Sequence, residues 1–290
     1  MPFVLSPEIL FCPNCQGCDI EFCSASGTGF QCRTCGRVME QHGPVIDMLP
    51  PALSDKTSMN LAHYEAMASS GDSLLDRRGK SRNHRIKFTT ISELLGLNGD
   101  GPRKSVMELG AGAGTHGAEF ARLGHHYVGL DISPAALYGA ARANPVLDDA
   151  VLIVGDATRI PLSDNLFDTV FCVATLHHLP EPVDGLREMI RVLKPGGKFC
   201  FMEPRWYYPT QLHSYFSHPD VEVSTFKIQA HRLLRSLREC HVQEAHVKCC
   251  VFTPNRPAFL HGVYRQIDRL FAAIPPLHIF SVVRCIYGTK

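Results

Sequence analysis

Apolar positions along this chain fall into short continuous runs separated by segments with helical spacing. Residues 104–110, Lys-Ser-Val-Met-Glu-Leu-Gly, read as a buried strand ending near Leu109. Runs of the same kind follow at His126–Leu130, Val151–Val154, Phe167–Val173 and Lys198–Met202. Between them lie segments of helical type, one from about Thr115 to Arg122 and another ending in Arg191-Val-Leu-Lys-Pro195-Gly196-Gly197, a turn that leads into the fifth strand. Strand and helix alternate throughout, which predicts an α/β fold with a parallel, doubly wound sheet. Beyond it the pattern predicts a helix over 225–240, with Phe226, Ile228, Leu233, Leu234 and Leu237 apolar. A strand from His241 to Phe252, a helix from about Ala258 to Ala273 and a last strand over His278–Tyr287 complete the chain. Residues 60–96 read as one or two helices split by a basic loop, and the polar, Pro/Gly-punctuated stretch around 50–60 as a linker. The expected organisation is a small segment over 1–52 and a domain over 58–290, with its core at 104–204 and a C-terminal segment at 205–290.

The 290 residues suffice for a substantial core without covalent staples. No apolar stretch approaches the roughly 18 residues a membrane-spanning helix needs. The N-terminus has no basic start, and its apolar stretch is broken at Pro7 and Glu8, so no signal peptide is expected and the expected compartment is the cytoplasm. A net charge of +1 hides regional differences: residues 106–204 carry −5, whereas residues 61–105 carry +3 and residues 205–290 carry +6. The densest basic run is Arg77, Arg78, Lys80, Arg82, Arg85 and Lys87, either a solvated loop or a patch for an anionic acceptor.

Six of the 12 cysteines lie in the first 35 residues. Cys12-Pro-Asn-Cys15 and Cys32-Arg-Thr-Cys35 are two C-x-x-C pairs separated by 16 residues, a zinc spacing. Two such turns supply four soft thiolates in the tetrahedral set Zn2+ prefers, leaving no open position, so the metal would be structural. A segment this small cannot build a sufficient core alone, and metal binding would supply folding energy. Cys12, Cys15, Cys18 and Cys23 also read as C-x2-C-x2-C-x4-C, an alternative set for an iron–sulfur cluster. The six scattered cysteines, mostly in apolar runs, read as small core hydrophobes. A reducing compartment disfavours disulfides.

Glycines at Gly110, Gly112 and Gly114 follow the first core strand, where a strand-to-helix turn allows close approach of a nucleotide. A dinucleotide fingerprint would place Gly or Ala at position 115, which is Thr115 here. Glu108 precedes the loop, where a carboxylate suits a cofactor with an ammonium and a sulfonium better than a pyrophosphate. Asp131 ends the next strand, 21 residues after Gly110, and Asp156 follows the third.

Together, Glu108-Leu-Gly-Ala-Gly-Ala-Gly114, Gly129-Leu-Asp131-Ile-Ser, Gly155-Asp156-Ala157, Phe167-Asp168, Leu176-His177-His178-Leu179 and Arg191-Val-Leu-Lys-Pro-Gly-Gly197 resemble the class I S-adenosylmethionine (SAM) methyltransferases. The likeness spans roughly residues 104–204 and is closest to the subgroup with quinone-biosynthesis and small-molecule enzymes. It implies a seven-stranded Rossmann-like sheet. It also implies that Glu108 and the Gly110–Ala111–Gly112 backbone hold the methionyl part, with Gly114 in the same loop. Asp131 and Ile132 would hold the ribose, and Asp156 and Ala157 the adenine, with Val173 beside the cofactor. Acceptors in this fold meet the methyl group at the end of the fourth strand, which makes His177 and His178 candidates for a general base, or for a structural pair. Helices before the core cover the cofactor in this family, so Tyr64, His84 and Arg85 are candidates for its carboxylate or for the acceptor. Trp206, Tyr207, Tyr208 and Pro209 would wall the acceptor pocket or pack on the basic segment. The N-terminal segment, through Cys32-x-x-Cys35-Gly36 and Gly43–Pro50, resembles the zinc-ribbon activator subunit of RNA and protein methyltransferases.

The expected function is therefore SAM-dependent methyl transfer to a small or lipid-linked, anionic metabolite. Two alternatives are a ribosomal or transfer RNA base methyltransferase and a non-catalytic adaptor whose ribbon binds a protein partner. The near-neutral total and the acidic ribbon weigh against RNA. The intact glycine loop and Asp131 weigh against the adaptor.

Overall fold

The computed structural model describes residues 5–23, 29–69, 81–99, 101–205, 213, 216–217, 227–242, 244–253 and 258–290. Five core strands arise where expected: β5 (Ser105–Leu109), β6 (His126–Asp131), β7 (Val151–Val154), β8 (Phe167–Val173) and β9 (Leu193–Pro204). They are parallel, and two antiparallel strands, β10 (Glu244–Val251) and β11 (Val283–Thr289), close the sheet on the β9 side. The order β7-β6-β5-β8-β9-β11-β10 gives the seven-stranded sheet that the resemblance implies. The chain moves outward one way from β5 to β7, then returns to β8 and moves the other way. That reversal opens a crevice at the carboxyl ends of β5 and β8.

These strands are apolar along their length because both faces are covered. Met107, Leu109, Val128, Leu130, Ile153, Val170 and Phe199 are all buried in one cluster with Leu186 and Met189 of α5 (Pro182–Val192) and Leu233 and Leu237 of α6 (Ala230–Glu239). On the opposite face, Val106, Phe171 and Cys200 pack with Phe120 of α3 (Thr115–Arg122) and with Ile91 and Leu95 of α2 (Arg82–Leu95). A further helix, α4 (Pro134–Ala143), covers β6 and β7 through Leu137 and Ala140. Tyr127 requires a glycine on α3: a Cβ at Gly117 would lie 2.2 Å from its ring.

The N-terminal segment adds four short strands, β1 (Ile20–Phe22), β2 (Gly29–Cys32), β3 (Val38–His42) and β4 (Val45–Asp47). β4 pairs in parallel with β7, Val45 opposite Leu152 and Asp47 opposite Val154, so the sheet runs continuously to eleven strands. A second seam joins Leu10 to Leu162 as an isolated bridge, flanked by Phe11 N to Pro161 O at 3.1 Å and Ser163 N to Ile9 O at 2.8 Å. Leu10, Phe30, Met39, Ile46 and Met48 belong to the same buried cluster as Met107 and Val170. The β7 edge, which would otherwise present unpaired backbone groups, is thereby covered.

Several expected boundaries shift. The segment around 50–60 is not all linker: α1 (Asp55–Ser69) starts within it, because Ser54 Oγ accepts from Thr57 N at 3.1 Å and nucleates the first turn. Lys-Pro-Gly-Gly at 194–197 is not a separate turn but part of β9. A register shift opposite Phe167 and Thr169 absorbs the extra residues, and the Gly196 and Gly197 backbone pairs with Lys290. The helix expected over 225–240 spans only Ala230–Glu239; Phe226 lies outside the described residues and Ile228 precedes the helix. The helix near the C-terminus is α7 (His261–Ala273), and the last strand begins at Val283 rather than His278, after a 3-10 turn over Pro275–Phe280. Among the described residues no helix is long and apolar enough to cross a membrane.

Candidate active site

A cavity of about 650 Å³ opens at the carboxyl ends of β5 to β8. Its floor is the loop after β5. Gly110 stands there with φ +71°, and a Cβ on it would fall 2.2 Å from Thr175 Oγ1, so the loops after β5 and β8 touch only because the position is glycine. Thr175 Oγ1 donates to Leu109 O at 3.1 Å across the same junction. Gly112 also has a left-handed backbone, at φ +49°, but faces open space, with only Asp131 Oδ2 near, at 4.0 Å. It forms a cradle that a side chain would fill. Gly114 stands apart from the cavity: it caps α3 and packs against Leu147 and Ala140.

Three carboxylates line the cavity, at or just beyond the ends of three neighbouring strands. Asp131 accepts from Gly112 N at 2.7 Å and from Ser133 N at 3.0 Å. Burial nonetheless pushes its carboxyl above the ordinary range; the two backbone donors oppose the shift and nearby Glu108 adds to it. Asp156 uses Oδ1 to accept from Thr158 N and Oγ1, both at 2.8 Å, an Asx turn that holds the loop after β7. Glu108 is buried and engaged on both oxygens, by Tyr127 OH at 2.6 Å and by His116 Nδ1 at 3.2 Å. The other His116 nitrogen, Nε2, is buried and has no hydrogen-bond partner among the described residues, and His116 lines the cavity. Its ring lies 4.5 Å from that of His84, whose Nε2 is 2.8 Å from Glu119. Glu108 therefore meets the cavity partly through His116.

The loop after β8 carries the paired histidines. His177 is buried, its Nδ1 2.7 Å from Glu203 Oε2. Glu203 Oε1 accepts from Thr175 N at 3.1 Å and Leu176 N at 2.9 Å. One carboxylate at the end of β9 thus holds three consecutive residues of this loop. His178 turns toward α1: its Nε2 lies 2.8 Å from Tyr64 OH, and its carbonyl accepts from Asn60 Nδ2 at 2.6 Å. Glu65, also on α1, accepts from Ala135 N at 2.9 Å and from Ser133 Oγ, which pins the helix over the Asp131 loop. Thr57, Asn60, Tyr64, His84 and Lys87 complete the roof.

The cavity wall therefore gathers Glu108, Gly110, Ala111, Gly112, Asp131, Ile132, Asp156, Ala157, Val173, His177 and His178, together with Tyr64 and His84. Arg85 is exposed and absent from that wall. Of the basic run, Arg82 is buried and paired with Asp268, while Arg77, Arg78 and Lys80 lie outside the described residues, as do Trp206, Tyr207, Tyr208 and Pro209. Sequence reasoning assigned no role to His116, Tyr127, Thr175 and Glu203. Glu203 carried a readable signal, an acid closing a buried strand as Glu108 does; Thr175 and Tyr127 carried none.

Residues 107–201 match the family described as methyltransferase domain. The chain carries a methyltransferase domain. Demethylmenaquinone methyltransferase of Renibacterium salmoninarum is 38% identical over 118 residues, which cover 41% of this chain and 44% of that protein. The Beutenbergia cavernae protein of the same name is 37% identical over 108 residues, again 44% of its length. The chain thus spans less than half the length of these curated relatives. In fold, the geranyl diphosphate C-methyltransferase of Streptomyces coelicolor superposes with a TM-score of 0.56 at 16% identity, covering 82% of this chain and all of that one. A SAM-dependent methyltransferase from Archaeoglobus fulgidus gives 0.53 at 15% identity over 76% of this chain and all of its own. The matched residues span the five parallel strands and the crevice at their carboxyl ends, and β10 and β11 lie beyond them.

Outside that domain, the sulfurs of Cys12, Cys15, Cys32 and Cys35 lie within 4.8 Å of one another, with Cys12–Cys35 at 3.5 Å and Cys15–Cys32 at 3.6 Å. Four thiolates at about 2.3 Å from a tetrahedral ion would be about 3.8 Å apart, close to these separations. Cys18 and Cys23 stand outside the set, so the fold does not gather the C-x2-C-x2-C-x4-C combination. Burial pushes the Cys12 thiol up to about 12, whereas hydrogen bonds from the Arg37 backbone and the Asn14 side chain bring Cys35 down to about 6.

Proposed function

We propose that this protein is a SAM-dependent methyltransferase acting on a small or lipid-linked acceptor of the quinone type. The observation that carries the reading is the set of carboxylates around the glycine cradle. SAM carries an ammonium, ribose hydroxyls and an adenine amino group, all hydrogen-bond donors, and Asp131 and Asp156 offer acceptors at successive strand ends. The orphaned His116 Nε2, with Nδ1–H given to Glu108, is an acceptor that fits the ammonium of the methionyl part. The relatives named demethylmenaquinone methyltransferase support a quinone-like acceptor.

SAM supplies an electrophilic methyl group when bound. Asp131 would accept from the ribose hydroxyls, and the loops after β5 and β8 would orient the methyl group toward the acceptor and exclude water. His177 is held by Glu203 and serves as a positioning residue. His178, hydrogen-bonded to Tyr64, is the imidazole that would take the proton of a phenolic acceptor. The four cysteines would hold a structural Zn2+, whose closed ligand set gives it no part in the chemistry.

Calorimetric titration with SAM and its demethylated product, with metal content read on the same sample, tests this. Micromolar binding with one zinc per chain is expected, and Asp131→Ala should weaken it at least about tenfold, roughly 1.4 kcal/mol. No binding by the folded, metal-loaded protein would sink the reading. His178→Ala should leave SAM affinity unchanged and lower kcat about 10²-fold or more; undiminished turnover of a quinol acceptor would remove His178 as the base.

A further inference from the structure

Among the described residues, the excursion between the two closing strands carries an exposed apolar surface. Phe259 is 85% exposed, Ile279 60%, and Val263 and Leu270 55% each. Along α7, Val263, Ile267, Leu270 and Ile274 recur at helical spacing and form one row. A second row faces the protein. Asp268 Oδ1 accepts from Phe252 N and Thr253 N, both at 3.1 Å, Asp268 also pairs with Arg82, and the Phe271 ring lies 5.8 Å from that of Phe252. A third row holds Arg265 and Arg269, both exposed. At about 100° per residue the three rows are roughly a third of a turn apart.

Asp268 is the only acid in α7, and it is turned inward and paired. The charge that the outer side of the helix presents is therefore positive. The segment it belongs to, residues 205–290, carries +6. An outward apolar row beside arginines, on a helix lying along the surface of the fold, is the pattern of an interfacial helix on anionic lipid. The Arg82–Asp268 pair ties α7 to α2, and Ser81, Asn83, His84 and Lys87 of that segment line the cavity.

We propose that α7 and the turn before it, with Val263, Leu270 and Ile274 of the outward row and Phe259 beside it inserted, dock this protein on an anionic phospholipid surface beside the cavity. The preference for a bilayer over a protein partner rests on the lipid-linked acceptor proposed above.

The test is flotation of the full-length, metal-loaded protein with vesicles of phosphatidylcholine alone or with 30% phosphatidylglycerol, a composition chosen on the order of a typical anionic leaflet. Binding to the anionic vesicles is expected, and it should fall at least about tenfold in Leu270→Glu/Ile274→Glu and again in Arg265→Glu/Arg269→Glu. Both pairs are exposed, and unchanged thermal unfolding and SAM affinity would show that the variants fold. Equal binding of the variants, or none by the parent protein, would overturn the proposal. So would a dimer in sedimentation that Leu270→Glu dissociates, since a second copy would then cover the row. Methylation of a water-soluble short-chain quinol without vesicles should be unaffected by either pair. If vesicle binding follows the prediction while no quinol is methylated, the acceptor reading fails and the docking surface stands.

Discussion

Asp131 combines two demands on one carboxylate. Its oxygens already accept from Gly112 N and Ser133 N, and burial holds its proton more tightly than in an ordinary aspartate. Donor hydroxyls on a ribose need the ionised form. SAM affinity should therefore decline on acidification at a higher pH than an unshifted carboxylate would give, and Asp131→Asn should flatten that limb while weakening binding at neutral pH. Calorimetry across pH 4.5 to 8, buffered at fixed ionic strength, reads both; an unchanged limb in the variant would assign it to another group. Of the site, Glu108, Asp131 and Asp156 were legible, because a strand end followed by a turn marks where a side chain meets a crevice. The relay from Glu108 through His116 was not, since it depends on which face of α3 turns inward. The hold of Glu203 on the loop after β8 joins positions 28 residues apart, a separation that no local pattern records.

At the scale of elements, the parallel strands were readable from their unbroken apolar runs, and the boundaries that moved have local causes. Asp168 shows how the strands are locked. It accepts from Ser105 N and Oγ, both at 2.8 Å, and from Lys194 Nζ at 2.7 Å, joining β5, β8 and β9 near their amino ends. Burial opposes its ionisation, but Lys194 and Ser105 outweigh that and hold its carboxyl below the usual range. A depressed carboxylate contributes stability above its unfolded value that is lost as pH falls through its folded one. Asp168→Asn should therefore lower stability by about 1–2 kcal/mol at pH 7, discounted for its partial exposure, and by less near pH 3. Urea unfolding at the two pH values checks this; a difference that grows with acidity would contradict the sign.

The whole molecule departs most from its sequence pattern at the N-terminus. A self-contained ribbon was legible in the two C-x-x-C pairs, but its addition to the β7 edge was not, because Val45-Ile-Asp47 is too short a run to declare a parallel partner more than a hundred residues away. The shared cluster of Leu10, Phe30, Ile46, Met107 and Val170 makes the two parts one core. Removing the Zn2+ proposed for the four cysteines should therefore destabilise the methyltransferase sheet as well as the ribbon. Chelation, or Cys32→Ser, should lower the single unfolding midpoint by at least several degrees, as expected for a loss of a few kcal/mol in a chain of this size. Two separate transitions, with the later one unmoved, would show the parts to be independent.

The parallel pairing of β4 with β7 also imposes an order in time. During synthesis the cysteine turns and β4 emerge before β7, and the strand that receives β4 is not complete until residue 154. At about 5–20 residues per second, the ribbon waits on the order of 5–20 s with that edge bare. The four cysteines, all before β4, would therefore be free to take a Zn2+ before docking, and the order of strands itself leaves an open edge exposed at the moment when nascent chains are most crowded.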